Sequence, residues 1–302
     1  MSVKFKGIIP PVSTIFDESY NLDEAGMGRL IDFLIDEGVD GLFFLGSGGE
    51  FSQMSVAQRK QVAEFAIRYV DKRLPVLIGT GGTSTQEVIE LSHHAEEHGA
   101  DGVVIINPYY WVLSEENLYL HYHEIAEAVK GPIILYNFPT LTGQDLSPEL
   151  VLRLADAHAN IVGIKETIDS TAHIRKMVQN VKSKHPHFTV LAGFDDHLLN
   201  TLIIGGDGAI PGSSNFAPQL AVGVYKAYKE GDYKAAAEQH KKLALMPSLY
   251  ELETPFLSIV KEAVKLRGID ISTTVLPPSR SINEEKIGKI EALMKQLDLL
   301  GK

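Results

Sequence analysis

Residues 160–167, Asn160-Ile161-Val162-Gly163-Ile164-Lys165-Glu166-Thr167, decide how the chain is expected to fold. Apolar, β-branched and glycine residues lead directly into a lysine, which predicts a strand buried on both faces, as in a parallel sheet. Alternation places Ile161, Gly163 and Lys165 on one face, with the lysine at the carboxyl end of the strand. Lysine side chains are rarely buried without a partner or a chemical role.

This lysine has two explanations when the strand is considered alone. Burial lowers the pKa of an ammonium group because it disfavours the charged form, and the neutral amine can attack a carbonyl carbon. Lys165 would then be a Schiff-base lysine. The alternative is a lysine at the strand end whose ammonium group extends to solvent. Other parts of the sequence have to decide between the two.

Seven further short apolar runs accompany this strand, and amphipathic helical patterns separate them. The predicted strands are 7–14, 41–45, 76–79, 102–106, 133–137, 161–165, 189–192 and 208–210. The predicted helices between them are 23–38, 55–72, 84–98, 114–129, 147–158, 170–184 and 195–204. Eight such units favour a closed TIM (β/α)8 barrel over an open doubly wound sheet.

After Pro218 the strand patterns cease. Helices are predicted over 219–230, 233–251, 254–267 and 283–297. The first of these completes the barrel, so the expected organisation is a (β/α)8 barrel over residues 1–230 and a C-terminal helical extension over residues 231–302.

Composition excludes several classes of function. The 302 residues carry a formal charge of −11, and no basic tract offsets it, which argues against nucleic acid or an anionic membrane as a partner. The absence of cysteine excludes disulfides, thiolate metal sites and cysteine nucleophiles. No apolar leader or run of membrane-spanning length is found, so a cytoplasmic location is expected.

The residues that follow each predicted strand are candidates for a site, because active sites of such barrels lie where strands end. Gly46-Ser47-Gly48-Gly49-Glu50 follows the second strand, and converging amides with a serine hydroxyl suit a small carboxylate or phosphate. A plain tight turn is the alternative explanation. Gly79-Thr80-Gly81-Gly82 after the third strand has the same character.

Tyr136 lies near the end of the fifth predicted strand, beside the strand that carries Lys165. Neighbouring strands are roughly 4.8 Å apart, so the two inward side chains can touch. A phenol beside the amine could move protons to and from a carbinolamine. A tyrosine that only fills the barrel mouth is the alternative.

Three other groups of residues are candidates for an interface or a metal site. The aromatic run in Asn107-Pro108-Tyr109-Tyr110-Trp111 indicates a subunit interface, with ordinary packing as the alternative. His94 and His98 lie one helical turn apart, but their surroundings favour a solvated face over a metal site. Asp195, with the adjacent Asp196 and His197, could bind a divalent metal, yet Asp195 would serve equally as an acceptor for substrate hydroxyls.

Four motifs together carry a resemblance to a known family. With Gly46-Ser47-Gly48-Gly49-Glu50, Asn107-Pro108-Tyr109-Tyr110, Tyr136-Asn137-Phe138-Pro139 and Gly163-Ile164-Lys165-Glu166 in this order and spacing, the chain resembles the dihydrodipicolinate synthase/N-acetylneuraminate lyase family. The likeness covers essentially the whole chain.

The resemblance implies a class I Schiff-base enzyme without metal or cofactor, usually a homotetramer, that handles pyruvate, related 2-keto acids and aldehydes. The site residues that it implies are Lys165 for the imine, Tyr136 as proton shuttle, Ser47 with the backbone of Gly48 and Gly49 for the pyruvate carboxylate, and Tyr110 reaching the neighbouring subunit's site. Substrate contacts are further expected at Thr167, Asp195 and Ile210, the last residue of the eighth predicted strand.

Two positions bear on the substrate. Dihydrodipicolinate synthases carry an arginine after the Tyr-Asn-x-Pro motif, where this chain has Leu141, and Thr167 follows the lysine as in the family's aldolases. The leading hypothesis is a reversible aldolase for a 2-keto-3-deoxy sugar acid such as 2-keto-3-deoxygluconate. The alternatives are a dihydrodipicolinate synthase, an N-acetylneuraminate lyase, a dehydratase of related acids, and a non-catalytic barrel that binds a keto acid.

Overall fold

A computed structural model describes residues 5–300, which form a barrel of parallel strands surrounded by helices. The strands are β1 Gly7–Ile8, β2 Leu42–Phe44, β3 Val76–Gly79, β4 Gly102–Ile106, β5 Ile133–Asn137, β6 Ile161–Glu166, β7 Thr189–Ala192 and β8 Gly208–Ala209. The helices are α1 Glu24–Asp36, α2 Val56–Val70, α3 Thr85–Glu97, α4 Glu115–Ala128, α5 Pro139–Thr142, α6 Pro148–Ala157, α7 Thr171–Lys176, α8 Leu198–Ile203, α9 Pro218–Glu230, α10 Tyr233–Leu243, α11 Pro247–Tyr250, α12 Leu257–Leu266 and α13 Glu284–Gln296.

The strands pair in the order β1-β8-β7-β6-β5-β4-β3-β2, all parallel. The remaining gap, between β1 and β2, is closed just beyond β1 rather than by a ladder. The Phe43 amide donates to the Pro10 carbonyl at 3.0 Å, and the Val12 amide donates to the Phe43 carbonyl at 2.8 Å. The predicted TIM barrel with C-terminal helices is therefore confirmed.

Local signals explain where many helices begin. The Ser55 hydroxyl and the Gln58 side chain form a capping box at the start of α2. The hydroxyls of Ser114 and Ser147 accept from amides three residues further on, as the sequence predicts, and Pro148 occupies the first turn of α6.

Four predicted elements were wrong in extent. The strand predicted over 7–14 ends at Ile8, since Pro10 and Pro11 have no amide hydrogen to extend a ladder. The helix predicted over 170–184 is α-helical only to Lys176 and continues as a π-helix over Met177–Lys182. The helix over 195–204 begins with a 3₁₀ turn, Asp195–His197. The helix over 233–251 is interrupted before Pro247, where α11 begins.

The C-terminal helices share a hydrophobic core with the barrel. Leu243, Ile259, Ile290 and Met294 are fully buried in one continuous cluster that includes residues of the strands. The extension therefore packs on the barrel as part of its structure, and the boundary at residues 230 and 231 stays a prediction. No helix among residues 5–300 is both long and apolar enough to cross a membrane.

Candidate active site

The amine of Lys165 lies inside the mouth of the barrel. Lys165 is 4% exposed, and it pairs in register with Tyr136 of β5. Its Nζ atom lies 4.0 Å from the centre of the Tyr136 ring and 5.2 Å from that of Phe43. The alternative explanation, in which the ammonium group of Lys165 extends to solvent, therefore does not hold.

Ser47 joins these two residues from the turn after β2. Its Oγ lies 3.4 Å from the Tyr136 hydroxyl, close enough for a hydrogen bond that either group can donate. Hydroxyl, phenol and amine thus form a continuous row at the carboxyl ends of β2, β5 and β6.

The turn itself is a short 3₁₀ helix, Ser47–Gly49. The Gly49 amide donates to the Gly46 carbonyl at 2.9 Å, and the Gly49 carbonyl accepts from the Thr14 hydroxyl at 2.8 Å. The amides of Ser47 and Gly48 have no hydrogen-bond acceptor within residues 5–300. They are therefore free to donate to a ligand, whereas the Gly49 amide is already engaged within the turn.

An ion pair with the extension holds this turn in place. Glu50 has a left-handed backbone, with φ of +63°, which is uncommon for a residue with a side chain. Its carboxylate lies 2.5 Å from the Lys261 ammonium on α12 and accepts from the Leu276 amide at 2.7 Å. Both charged side chains are fully buried.

Burial acts on both members of this pair. It raises the pKa of Glu50 and lowers the pKa of Lys261, while each charge opposes the shift of the other. The Lys261 ammonium also donates to the Thr274 carbonyl at 2.6 Å. Glu50 thus ties the turn after β2 to α12 and to the segment before α13.

A cavity of about 70 Å³ surrounds the amine. All but two of the predicted site residues line it, namely Ser47, Gly48, Tyr136, Lys165, Thr167, Asp195 and Ile210. Gly49 and Tyr110 are the exceptions. The Thr167 hydroxyl is buried and lacks a partner within residues 5–300, so it is available to a ligand.

Gly193 makes room for that hydroxyl. A Cβ atom at Gly193 would come within 1.9 Å of Thr167 Oγ1, far inside van der Waals contact. Any side chain here would displace Thr167 from its position on the cavity wall.

The carboxylate of Asp195 is already engaged by the protein. Its Oδ1 accepts from the amide of Ser213 at 3.0 Å and from the Ser213 hydroxyl, and its Oδ2 accepts from the Tyr250 hydroxyl at 2.9 Å. Burial raises the pKa of Asp195, and these donors oppose the rise. Both carboxylate oxygens of Asp195 thus already accept hydrogen bonds from the protein.

Sequence reasoning missed the part of the wall that comes from the extension. Tyr250, Phe256 and Val260 line the cavity with Lys165. Nothing in their local pattern marks them, because their position depends on how α11 and α12 pack across the barrel mouth. Ser13 and Asn215, also unpredicted, complete the wall beside β1 and β8.

A charged network lies behind β6, on the face opposite the amine. Glu166 is fully buried, and its Oε2 lies 3.4 Å from His173 Nδ1 and accepts from the side-chain amide of Asn137, through Nδ2, at 3.1 Å. Asp145 lies 3.1 Å from His173 Nε2 and accepts from the same amide at 2.7 Å. Desolvation opposes a charged ring, but the hydrogen bonds to Asp145 and Glu166 raise the pKa of His173 to about 10.

The predicted rim aromatics are exposed. Tyr110, Trp111 and Val112 are 79%, 74% and 70% exposed, and Leu141 nearby is 55% exposed. Single exposed apolar residues are ordinary on a surface, but these neighbouring residues expose most of their apolar side chains together. Tyr110 does not line the cavity of its own chain.

The glycine turn after β3 is filled by the protein. The buried guanidinium of Arg59 donates to the carbonyls of Gly79 and Gly81 at 3.2 Å and 2.9 Å. Desolvation lowers the pKa of Arg59 to about 10, partly offset by Glu87. These contacts attach the turn after β3 to α2, which carries Arg59.

A wider vestibule of about 620 Å³ lies outside the inner cavity and shares Ser47, Phe138, Phe194, Tyr250 and Phe256 with it. Leu141 lines this vestibule, and its lining residues among 5–300 include no lysine or arginine. The one carboxylate on the lining, Glu253, is paired with Lys286 at 2.6 Å.

A closed (β/α)8 barrel that holds a buried amine and a phenol at the carboxyl ends of adjacent strands is typical of enzymes that act on carbonyl compounds. The chain belongs to the dihydrodipicolinate synthetase family, whose model matches residues 4–297. The resemblance inferred from the four motifs is thereby confirmed.

Relatives span the whole chain. YagE of Escherichia coli K12, provisionally named a 2-dehydro-3-deoxy-D-gluconate aldolase, is 57% identical over 99% of both chains. YjhH of the same organism, provisionally named a 2-dehydro-3-deoxy-D-pentonate aldolase, is 54% identical over 98% of this chain and 99% of its own. A crystal structure of YagE in complex with pyruvate superposes with a TM-score of 0.97 over 98% of this chain and 99% of that one.

Proposed function

We propose that the chain is a class I aldolase that reversibly cleaves a 2-keto-3-deoxy sugar acid, such as 2-keto-3-deoxygluconate, to pyruvate and an aldehyde. The observation that carries this proposal is the buried Lys165 amine against Tyr136, with Ser47 beside the phenol. The names of YagE and YjhH agree with it.

The reaction begins when the Lys165 amine attacks the keto carbon and water leaves, which gives a protonated imine. Loss of the proton from the C4 hydroxyl then breaks the C3–C4 bond, and its electron pair moves into the imine to form an enamine. Protonation at C3 and hydrolysis release pyruvate and restore the amine. The protonated imine makes a free carbanion unnecessary, because it accepts the electron pair.

Tyr136 would move the protons in these steps. The face of its ring packs against the Lys165 amine. Its hydroxyl lies 3.4 Å from the Ser47 Oγ atom. A positioned acid–base group of this kind contributes about 10²–10⁴-fold to a rate.

The substrate carboxylate would bind at the turn after β2. Two amides, of Ser47 and Gly48, and the Ser47 hydroxyl are available there. Backbone amides that converge at a turn are suited to an anionic oxygen.

The remainder of the substrate would be neutral and hydroxylated. The Thr167 hydroxyl is unpaired on the inner wall, and the vestibule offers no lysine or arginine among residues 5–300. An aldehyde with its own carboxylate, such as that of a dihydrodipicolinate synthase, would find no cation there. This favours the aldolase over the synthase.

The proposal includes three further expectations. The protonated Lys165 imine supplies the electron acceptor that the proposed reaction needs, so neither a cofactor nor a metal is required. The exposed Tyr110 patch supports a homotetramer in which this tyrosine reaches a neighbouring site. The acidic chain with no cysteine fits a cytoplasmic enzyme.

Trapping the imine tests the proposal. Borohydride added with pyruvate should attach one reduced pyruvate to the chain, and peptide mapping should locate it at Lys165. Lys165→Arg should lose both the adduct and aldolase activity. No adduct on the wild type, or activity abolished by a chelator, would contradict a class I mechanism.

Product analysis tests the substrate. Incubation with 2-keto-3-deoxygluconate should release pyruvate and an aldehyde in equal amounts. A keto acid without release of aldehyde would indicate a dehydratase. Pyruvate binding that survives Lys165→Ala without turnover of any substrate would indicate a barrel that only binds keto acids.

A further inference from the structure

The outer surface of the barrel carries a second cluster of chemically active side chains. His94 lies in the last turn of α3 and His98 caps the carboxyl end of that helix, while Glu64 faces both from the adjacent α2. One ligand atom from each of the three lies within 4.8 Å of the other two. The sequence revealed the two histidines but not the carboxylate, which only helix packing brings to them.

The separations in this cluster suit a single small ion. Glu64 Oε1 lies 2.9 Å from His94 Nε2 and 3.8 Å from His98 Nε2. Ligand atoms bound about 2.0–2.1 Å from a tetrahedral zinc lie about 3.3 Å apart. The two observed separations fall on either side of that value, so small side-chain rotations would bring all three atoms into the first coordination sphere.

The protonation of His98 is set by its own helix. Its Nδ1 lies 2.8 Å from the His94 carbonyl, which can only accept. In the neutral ring the proton is therefore on Nδ1, and Nε2 presents its lone pair towards Glu64. A backbone carbonyl behind a metal-binding histidine is the usual arrangement that orients the ring.

His94 is less completely supported. Its Nδ1 is buried and has no partner within residues 5–300. When Nε2 binds a metal, the proton has to be on Nδ1, where no protein acceptor receives it. Missing support of this kind costs about 10–100-fold in metal affinity, so the site should be weaker than a structural zinc site.

A second histidine cluster differs in its geometry. His158 contacts His123 through Nε2 at 2.8 Å and Glu127 through Nδ1 at 3.4 Å. One ligand atom from each of His123, Glu127 and His158 also lies within 4.8 Å of the other two. In this cluster, however, the two ring nitrogens of His158 contact different partners, whereas in the first cluster Glu64 Oε1 faces the Nε2 atoms of both histidines.

We propose that Glu64, His94 and His98 form a binding site for a divalent transition metal such as Zn²⁺, with water at the open position. Imidazole nitrogens with one carboxylate are ligands that Zn²⁺ accepts. A bound ion would cross-link α2 and α3 on the outside of the barrel, apart from the amine. It would stabilise the folded chain without entering the aldol chemistry, since the native state binds it and the unfolded chain has no preformed site.

Calorimetry with ZnCl₂ tests the site on the full-length protein. The wild type should bind one Zn²⁺ per chain, and the glutamate and histidine variants Glu64→Gln and His98→Gln should each bind at least about tenfold more weakly. His93→Gln is the matched control, because His93 lies on the same helix but contacts the Ala128 carbonyl instead. It should retain wild-type affinity.

Two further measurements separate this site from other binding. Co²⁺ should give visible absorption bands of a low-coordinate site in the wild type and in His93→Gln, but not in His98→Gln. Zn²⁺ should raise the thermal midpoint of the wild type, and this rise should disappear in Glu64→Gln. Equal Zn²⁺ affinity in wild type and His98→Gln, or affinity lost only on replacing His158, would overturn the proposal.

Discussion

At the scale of single residues, the position of Tyr136 explains what the phenol can do. Tyr136 and Lys165 occupy the same row of adjacent strands, so the ring lies flat against the amine while its hydroxyl extends towards Ser47. A phenylalanine would keep the ring and remove only the hydroxyl.

Tyr136→Phe should therefore separate proton transfer from imine formation. We expect kcat to fall by about 10²–10⁴-fold, while pyruvate with borohydride still labels Lys165, although more slowly. Steady-state kinetics and mass spectrometry measure the two effects. An unchanged kcat would show that another group moves the protons.

His173 gives a pH dependence to stability. Its ordinary pKa is 6.5, and its folded-state pKa is about 10 because Asp145 and Glu166 flank the ring. A pKa raised on folding contributes stability that is complete below pH 6.5 and is lost as the pH rises through about 10. The thermal midpoint should therefore decline over this alkaline range.

The variant His173→Gln should flatten that decline, and the control His93→Gln at a surface position should not. Thermal unfolding followed by circular dichroism between pH 6 and pH 10.5 measures both slopes. The same alkaline slope in wild type and His173→Gln would contradict the assignment.

Sequence alone predicted the site residues whose position follows from local pattern. That pattern is either the alternation of side chains along one strand or the glycine-rich turn after β2. Lys165, Tyr136 and Ser47 are of this kind, and the structure brings them together. Tyr250, Phe256 and the partners of Asp195 were not predictable, since each depends on contact with a segment distant in sequence.

At the scale of elements, prediction succeeded where a run had clear boundaries. The bounds of β3, β4, β5 and β7 agree with the sequence, because apolar runs end there at polar or turn residues. Prediction failed at prolines, whose effects depend on context. Pro10 and Pro11 shorten β1, whereas Pro247 begins a new helix.

Among the contacts between secondary-structure elements, the Glu50–Lys261 ion pair is expected to have the largest effect on the stability of the fold. Glu50→Gln leaves the Lys261 ammonium buried without its counter-charge, and breaking such a pair costs about 3–5 kcal/mol. We expect a lower denaturation midpoint in urea and a higher KM for the substrate, because the Ser47 turn loses its attachment.

Two controls sharpen this prediction. The double variant Glu50→Gln/Lys261→Met removes both charges and should recover part of the lost stability. Glu285→Gln breaks an exposed pair with Lys289 on α13 and should leave the midpoint unchanged. A Glu50→Gln protein with wild-type midpoint and KM would show that the ion pair does not hold the turn.

At the scale of the whole molecule, the exposed aromatic rim predicts association between copies of the chain. Trp111 is 74% exposed and packs edge-to-face on Tyr110. We expect Trp111→Asp to shift the protein from tetramer to smaller species in sedimentation experiments, since a buried carboxylate would oppose the interface. Leu245→Asp, at another exposed apolar position, is the control. A wild-type monomer would contradict the expected homotetramer.

The Glu50–Lys261 ion pair also bears on the order in which the chain folds during its synthesis. A ribosome makes Glu50 and Lys165 long before it makes Lys261, so a nascent barrel contains the proposed Schiff-base lysine before the turn proposed to bind the carboxylate is held by its ion pair. The proposed site is therefore completed late in translation, when α12 emerges and docks. Prematurely terminated copies that lack α12 would be unproductive even though every residue proposed for proton transfer is already in the chain.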